Sequence, residues 1–267
     1  MELFLDSGNS EAIAQLSSKQ LIDGVTTNPV ILARDAPHDR PFIEVAHEIL
    51  EAARGVPVMF QAIGRDRDEL VDHARKISEE LSRFGEPIVK IPFETGDAHP
   101  TYDGYAAISE ASSEGIRVLA TAIVTPTQAY LAASAGAEYS GLMLRPYDDV
   151  LSERLGINLA ADGFLRSDDT AHLLEERGER LETYGSGLET LKRTSEIFER
   201  HGLETKLLVA GIRNPLQAAA VLQSSADAMT VPHSVFESLF VHEGTKRFVQ
   251  ATRTGAPENY RGFLYES

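Results

Sequence analysis

Cysteine is absent from this sequence. Its absence excludes disulfides, thiolate metal sites and a cysteine nucleophile, and says nothing further about compartment. Cations are scarce: 25 Lys and Arg stand against 41 Asp and Glu, a formal net charge of -16. Proteins that hold nucleic acid rely on clustered Lys and Arg, so no nucleic-acid partner is expected here. No apolar run approaches the roughly 20 residues that a membrane helix needs. The opening stretch, MELFLDSGNS, has no basic region followed by an apolar one. A cytoplasmic protein with neither signal peptide nor membrane partner is the expectation. The eight histidines form no H-E-x-x-H or comparable spacing, so neither a metal nor any other cofactor is expected. There is also no P-loop and no G-x-S-x-G.

What the sequence does contain is a rhythm. Short, mostly apolar runs recur at residues 2–6, 24–28, 56–62, 88–92, 117–123, 138–144, 206–210 and 228–231. Each has the character of a strand buried on both faces. Helical periodicity fills most of the gaps. In residues 67–84, Leu70, Ala74, Ile77 and Leu81 share one face, and residues 188–201 carry Leu188, Leu191, Ile197 and Phe198. Strands alternating with helices predict a single (β/α)8 barrel over residues 1–267. An open doubly wound sheet is the alternative, but no G-x-G-x-x-G follows the first run. A charged stretch of about 40 residues, 146–186, breaks the rhythm after the sixth strand. In a barrel it would sit on the catalytic face as a lid, an oligomer contact or a plain surface excursion, with a solvated helix within 172–183. A helical tail closes the chain, carrying Tyr260, Phe263, Leu264 and Tyr265.

Only six lysines are present, at 19, 76, 90, 192, 206 and 246. Four lie in polar or helical contexts. Lys206 opens its strand, where its head can reach solvent. Lys90 lies inside Pro87-Ile88-Val89-Lys90-Ile91-Pro92, which points it into the barrel. Burial favours the neutral amine, the form that attacks a ketone; a snorkelling strand-end lysine is the plainer alternative. Other polar residues fall late in strands or just beyond them: Asp6, Asn28, Gln61, Thr121, Ser140, Arg145 and Arg213. Strand C-termini of a barrel form its active face. Taken singly, Asp6 is also a plausible turn cap and Asn28 an Asx turn before Pro29.

The motifs Leu5-Asp6, Gly24-Val25-Thr26-Thr27-Asn28-Pro29, Val89-Lys90-Ile91-Pro92, Thr121-Ala122, Ala135-Gly136-Ala137 and Arg213-Asn214 occur in the order seen in transaldolases. Nearly the whole chain resembles that family, and most of all its small branch with fructose-6-phosphate aldolase; residues 146–184 are the exception. The resemblance implies a Schiff-base lysine at Lys90 and a proton-transferring acid at Asp6. It implies a water-orienting hydroxyl at Thr121, with Gln61 completing the catalytic group. It implies donor-hydroxyl ligands at Asn28 and Ser140, with Thr26 among the substrate-binding residues, and phosphate-binding arginines at Arg145 and Arg213. Guanidinium forks suit phosphate oxygens.

Three positions depart from the family pattern. Gln61 stands where transaldolases carry glutamate, as in the fructose-6-phosphate aldolases, and glutamine cannot take a proton from water. Leu142 stands where an aromatic residue is expected, with Tyr147 close by. Gly211 replaces a phosphate-holding serine. The implied activity is transfer of a dihydroxyacetone unit from a ketose phosphate to an aldehyde through a lysine Schiff base. Free aldol cleavage, favoured by Gln61, and a sugar-phosphate-binding barrel without activity are the alternatives. Small sugar phosphates and further copies of the chain are the expected partners.

Overall fold

The short apolar runs form strands because helices cover one face and the barrel interior the other. They are β1 (Glu2–Asp6), β2 (Gly24–Thr26), β3 (Val58–Gln61), β4 (Pro87–Pro92), β5 (Val118–Ile123), β6 (Tyr139–Met143), β7 (Lys206–Ala210) and β8 (Ala228–Pro232). The helices are α1 (Ser10–Ser18), α2 (Pro29–Asp35), α3 (Phe42–Ala53), α4 (Arg67–Leu81), α5 (Asp103–Ser113), α6 (Pro126–Ser134), α7 (Leu144–Leu155), α8 (Ser167–Glu176), α9 (Gly187–His201), α10 (Pro215–Leu222), α11 (His233–Leu239) and α12 (Glu243–Gly255). This computed structural model describes residues 1–35, 40–96, 99–178, 185–257 and 260. All neighbouring strands are parallel and close in sequence order, β1 through β8, into a (β/α)8 barrel.

Four strands are shorter than the apolar runs suggest, β5 and β6 by a residue at one or both ends and the second and third by more. The second ends at Thr26, because Asn28 turns the chain into α2 by accepting a hydrogen bond from Ile31 N at 2.9 Å. The third covers only Val58–Gln61.

Side chains alternate between the two faces of each strand. Leu5, Val25, Phe60, Val89, Ile91, Ala120, Leu142, Val209 and Val231 point outward into the main core beneath the helices. Phe4, Met59, Ile88, Leu119, Tyr139, Leu208 and Ala228 form a separate layer inside the barrel. Gly24 has no side chain because the ring of Phe4 occupies that space: a Cβ there would come within 2.1 Å of it. Below this layer, at the strand N-termini, Lys206 Nζ donates to Glu2 Oε1 at 2.6 Å and Tyr139 OH donates to Glu2 Oε2 at 2.9 Å. Lys206 is therefore paired at the end of the barrel opposite Lys90's.

The stretch after β6 is more ordered than its composition suggests. α7 starts directly at Leu144, and Leu151, Leu155, Leu165 and Leu174 form a small core of their own. The expected solvated helix spans Ser167–Glu176 and buries Thr170 and Leu174; residues 179–184 lie outside the described residues. Asp148, fully buried, accepts from Gly187 N at 2.7 Å and Leu165 N at 3.3 Å, pinning the start of α9 to α7. α12 has no buried residue. Of the tail's apolar residues, Tyr260 is exposed, and Phe263, Leu264 and Tyr265 lie outside the described residues. Among the described residues, no helix is long and apolar enough to cross a membrane.

Candidate active site

The inner apolar layer fixes what lies above it. Two positions further along the same strands come Asp6, Thr26, Gln61, Lys90, Thr121, Gly141, Ala210 and Thr230. By strand alternation all face the lumen toward the strand C-termini. The structure thus brings together Asp6, Thr26, Gln61, Lys90 and Thr121. Register places Gln61 beside Lys90, and Lys90 beside Leu119.

Lys90 is 7% exposed. Its Nζ donates to the carbonyl of Thr27 at 2.6 Å. Burial pushes its pKa below the ordinary lysine value, while the nearby Asp6 carboxylate pulls it back up. Asp6 is pushed the other way: burial raises its pKa, and Lys90 and the Thr26 hydroxyl oppose that rise. Each neighbour makes the other's charge less costly, yet burial prevails at both. An amine and a carboxyl, each with its charged form disfavoured by burial, thus face one small space.

Thr26 and Thr230 hold Asp6. Thr26 Oγ1 donates to Asp6 Oδ1 at 2.6 Å and lies 2.6 Å from Thr230 Oγ1, so the Thr230 hydroxyl supplies the proton of that second bond. Thr26 is 1% exposed. Expected among the substrate-binding residues, Thr26 faces the lumen with its hydroxyl engaged by Asp6 and Thr230. Sequence reading missed Thr230. Its only signal is position, two residues beyond an inward-facing Ala228.

Beside Thr121 the backbone is strained. Ala122 has φ +59°, and the register between β5 and β6 shifts from Ala120 to Ile123. This bulge keeps Thr121 at the lumen and returns Ile123 to the outer core. Asn28 sits at the rim, half-buried, with Oδ1 used to cap α2.

Of three expected ligands, one points away from the lumen, one is paired on its own helix, and Arg213 lies just beyond β7 as expected. Ser140 pairs in register with Ala120 and Leu207, both outward-facing, so it points away from the lumen. It is 0% exposed, and its hydroxyl has no hydrogen-bond partner among the described residues. The lumen positions on β6 are Gly141 and Met143. Leu142 also faces outward, so an aromatic side chain there would enter the outer core, not the site, and Tyr147 packs on the small core of α7 and α8. Arg145, on α7, turns its guanidinium onto neighbouring protein: Nε donates to Asp149, and Nη1 lies near the carbonyls of Ala160, Ala161 and Gly163. Arg213 is exposed beyond β7, and its backbone N–H donates to Gln217 Oε1 at 2.9 Å. Among the described residues, no group of three His, Cys, Asp or Glu is arranged to hold a metal ion.

A closed parallel barrel with a buried lysine and a carboxyl at its strand C-termini defines a (β/α)8 protein whose candidate site lies on the face where such barrels carry their chemistry. The family model described as Transaldolase/Fructose-6-phosphate aldolase matches residues 3–261, and the chain belongs to that family. Among similar proteins, one from Carboxydothermus hydrogenoformans named "Probable transaldolase" is 33% identical over 251 residues, covering 94% of this chain and 95% of that one. One of the same name from Aquifex aeolicus is 30% identical over 255 residues, covering 94% and 95%. Another from Symbiobacterium thermophilum is 28% identical over 254 residues, covering 94% and 96%.

Proposed function

We propose that the protein is a transaldolase working through an imine on Lys90. The buried amine of Lys90, with the Asp6 carboxyl as its ionisable neighbour in the lumen, carries this reading. Lys90 Nζ adds to the carbonyl carbon of a ketose, and water leaves as the iminium forms. Asp6 takes the proton of the β-hydroxyl. The carbon–carbon bond breaks, an aldehyde departs, and the electron pair moves into an enamine. The enamine then attacks a second aldehyde while Asp6 returns the proton, and water releases the new ketose. Thr26 and Thr230 keep Asp6 in place. Gln61 and Thr121 position the water, and the free amide of Asn28 holds a donor hydroxyl at the rim.

The unbroken chain Thr230–Thr26–Asp6 supports an active enzyme over a binding barrel. Gln61 motivates a second reading, free aldol cleavage, since an amide positions water without needing an acceptor sugar. Borohydride trapping with dihydroxyacetone and with fructose 6-phosphate, read by peptide mass spectrometry, tests the imine. An adduct at Lys90 is expected, and its absence with both ketones sinks the reading. Cleavage assayed with and without an added aldehyde separates transfer from free aldolysis.

A homo-oligomer accompanies this reading. α12 leaves Phe248 and Val249 exposed, and Phe240 and Val241 precede it on the surface. Light scattering on the purified chain would show a single protomer mass if that face has no second copy to cover it.

A further inference from the structure

The loop that follows Lys90's own strand carries a residue that folding does not explain. Tyr102 has φ +64° and ψ 5°, left-handed backbone that a bulky side chain strongly disfavours. Its side chain is 70% exposed and makes no hydrogen bond or ring contact among the described residues. Nothing inside the protein therefore offsets the strain. Glycine or asparagine would take the same backbone more readily.

One carboxylate imposes this conformation. Glu94 Oε1 accepts from Thr95 N at 2.8 Å, Gly96 N at 3.0 Å, Thr101 N at 3.2 Å and Thr101 Oγ1 at 2.7 Å. Its Oε2 accepts from Tyr102 N at 3.3 Å. Burial alone would raise the Glu94 pKa, but the Thr101, Gly96 and Thr95 donors hold it at about 2, so the loop stays gathered at neutral pH. The same residue stands at the rim of the lumen. The first turn of α5 presses on the end of β4: a Cβ on Gly104 would come within 2.2 Å of Pro92 O and 2.5 Å of the Phe93 carbonyl. Tyr102 precedes Gly104 by two residues, and Lys90 precedes Pro92 by two on the strand.

We propose that Tyr102 is a substrate-binding residue that holds the end of the sugar phosphate remote from the imine, and that Glu94 positions it. The proposal rests on the imine reading above and extends its site to the rim. A ketose joined to Lys90 inside the lumen runs outward past the end of β4. There its hydroxyl and phosphate oxygens can accept from the phenol, and its carbon chain can pack on the ring. Strained backbone with no return inside the fold is accounted for by such a contact, because it holds the side chain ready before the sugar arrives.

The test is borohydride trapping at Lys90, read as the ketose concentration that gives half-maximal labelling of the full chain. Tyr102→Gly and Tyr102→Asn both accept a positive φ, so each is expected to keep or raise Tm. Each is expected to need about tenfold more fructose 6-phosphate than the wild type. Dihydroxyacetone, which is too short to reach the rim, is expected to label all three alike. Glu94→Gln takes the carboxylate from Tyr102 N–H and is expected to weaken trapping by fructose 6-phosphate, yet to add nothing in the Tyr102→Asn background. Additive losses overturn the positioning role of Glu94. A fall in Tm in both Tyr102 variants overturns the proposal, because the tyrosine then serves the fold. No adduct with either ketone removes the imine reading itself. If dihydroxyacetone labels Lys90 but fructose 6-phosphate labels it no better, or labels wild type and variants alike, only the role of Tyr102 is overturned.

Discussion

Replacing Asp6 with asparagine separates three roles proposed for one carboxyl. The amide keeps the shape and can still accept the Thr26 hydrogen bond, now 2.6 Å to Oδ1, but it can neither take a proton nor carry charge. As general base, the carboxyl contributes about 10²–10⁴ in rate, or roughly 2.7–5.5 kcal/mol of barrier, and cleavage should fall by that factor. As the anion near Lys90, it raises the lysine pKa against the effect of burial. Its removal must lower that pKa further, so the amine becomes neutral at a lower pH. Competitive labelling of Lys90 with a neutral acylating reagent, followed across pH by mass spectrometry, should show the midpoint moving down. As a buried acid, Asp6 has a pKa raised in the fold, because burial outweighs both Lys90 and Thr26. Its ionised form is thus a net penalty, present above the folded pKa and relieved below it. Asp6→Asn should stabilise the protein at neutral pH by about 0.5–2 kcal/mol, each kcal/mol raising Tm by roughly 2–4 °C. A variant that is slower, better folded and carries a more reactive lysine fits only this arrangement. A labelling midpoint that stays put or moves up refutes it, because Asp6 would then not be acting as Lys90's counter-charge.

Lys90→Met should abolish the borohydride adduct and lower turnover by about 10⁴ or more without loss of Tm, since an apolar chain replaces a buried amine. Thr26→Val removes a hydrogen bond to a charged group, about 1.5–3 kcal/mol; because that bond holds the Asp6 pKa down, the acid limb of the kcat–pH profile should move to higher pH. Gly211→Ser should destabilise the chain by about 1–3 kcal/mol in urea titration, from its φ of +79° and the 2.8 Å approach to Arg145 N. Asp148→Ala leaves the buried N–H groups of Gly187 and Leu165 without their acceptor, at about 1–3 kcal/mol each; faster hydrogen exchange in α7 and at the start of α9 should report it.

The barrel was legible because its signal is periodic. Eight short apolar runs separated by amphipathic helices leave few topologies, and the closed one follows. Lys90 was legible for a local reason: an amine between Val89 and Ile91 in a strand has an apolar surround wherever the strand lies. Asp6 came with it as the polar end of an apolar run, and Thr121 as a hydroxyl late in one. Thr230 was not legible, because a threonine in Ala228-Met229-Thr230-Val231 reads as an ordinary β-branched strand residue. Its role depends on Thr26 lying 2.6 Å away across the closed seam, a contact between residues far apart in sequence.

Ser140 and Leu142 lie off the lumen for one reason. Strand side chains repeat every two residues, so an offset of one moves a residue to the opposite face of the wall. β6 enters the lumen with Tyr139, which makes Gly141 and Met143 the inward positions and leaves Ser140 and Leu142 outside. Motif spacing alone cannot fix that parity, since Ser140 and Gly141 both follow Tyr139 closely. The same short passage from β6 to α7 brings Arg145 against Gly211 and its Nη1 within reach of the carbonyls of Ala160, Ala161 and Gly163. Arg145 gave no hint of its capture, because three of its four acceptors are backbone carbonyls, which every residue has. A missing serine at 211 and a preserved arginine at 145 read as a weakened phosphate grip. In three dimensions they are one feature: the backbone approach that leaves no room for a Cβ at 211 also carries Arg145 Nη1 to those carbonyls.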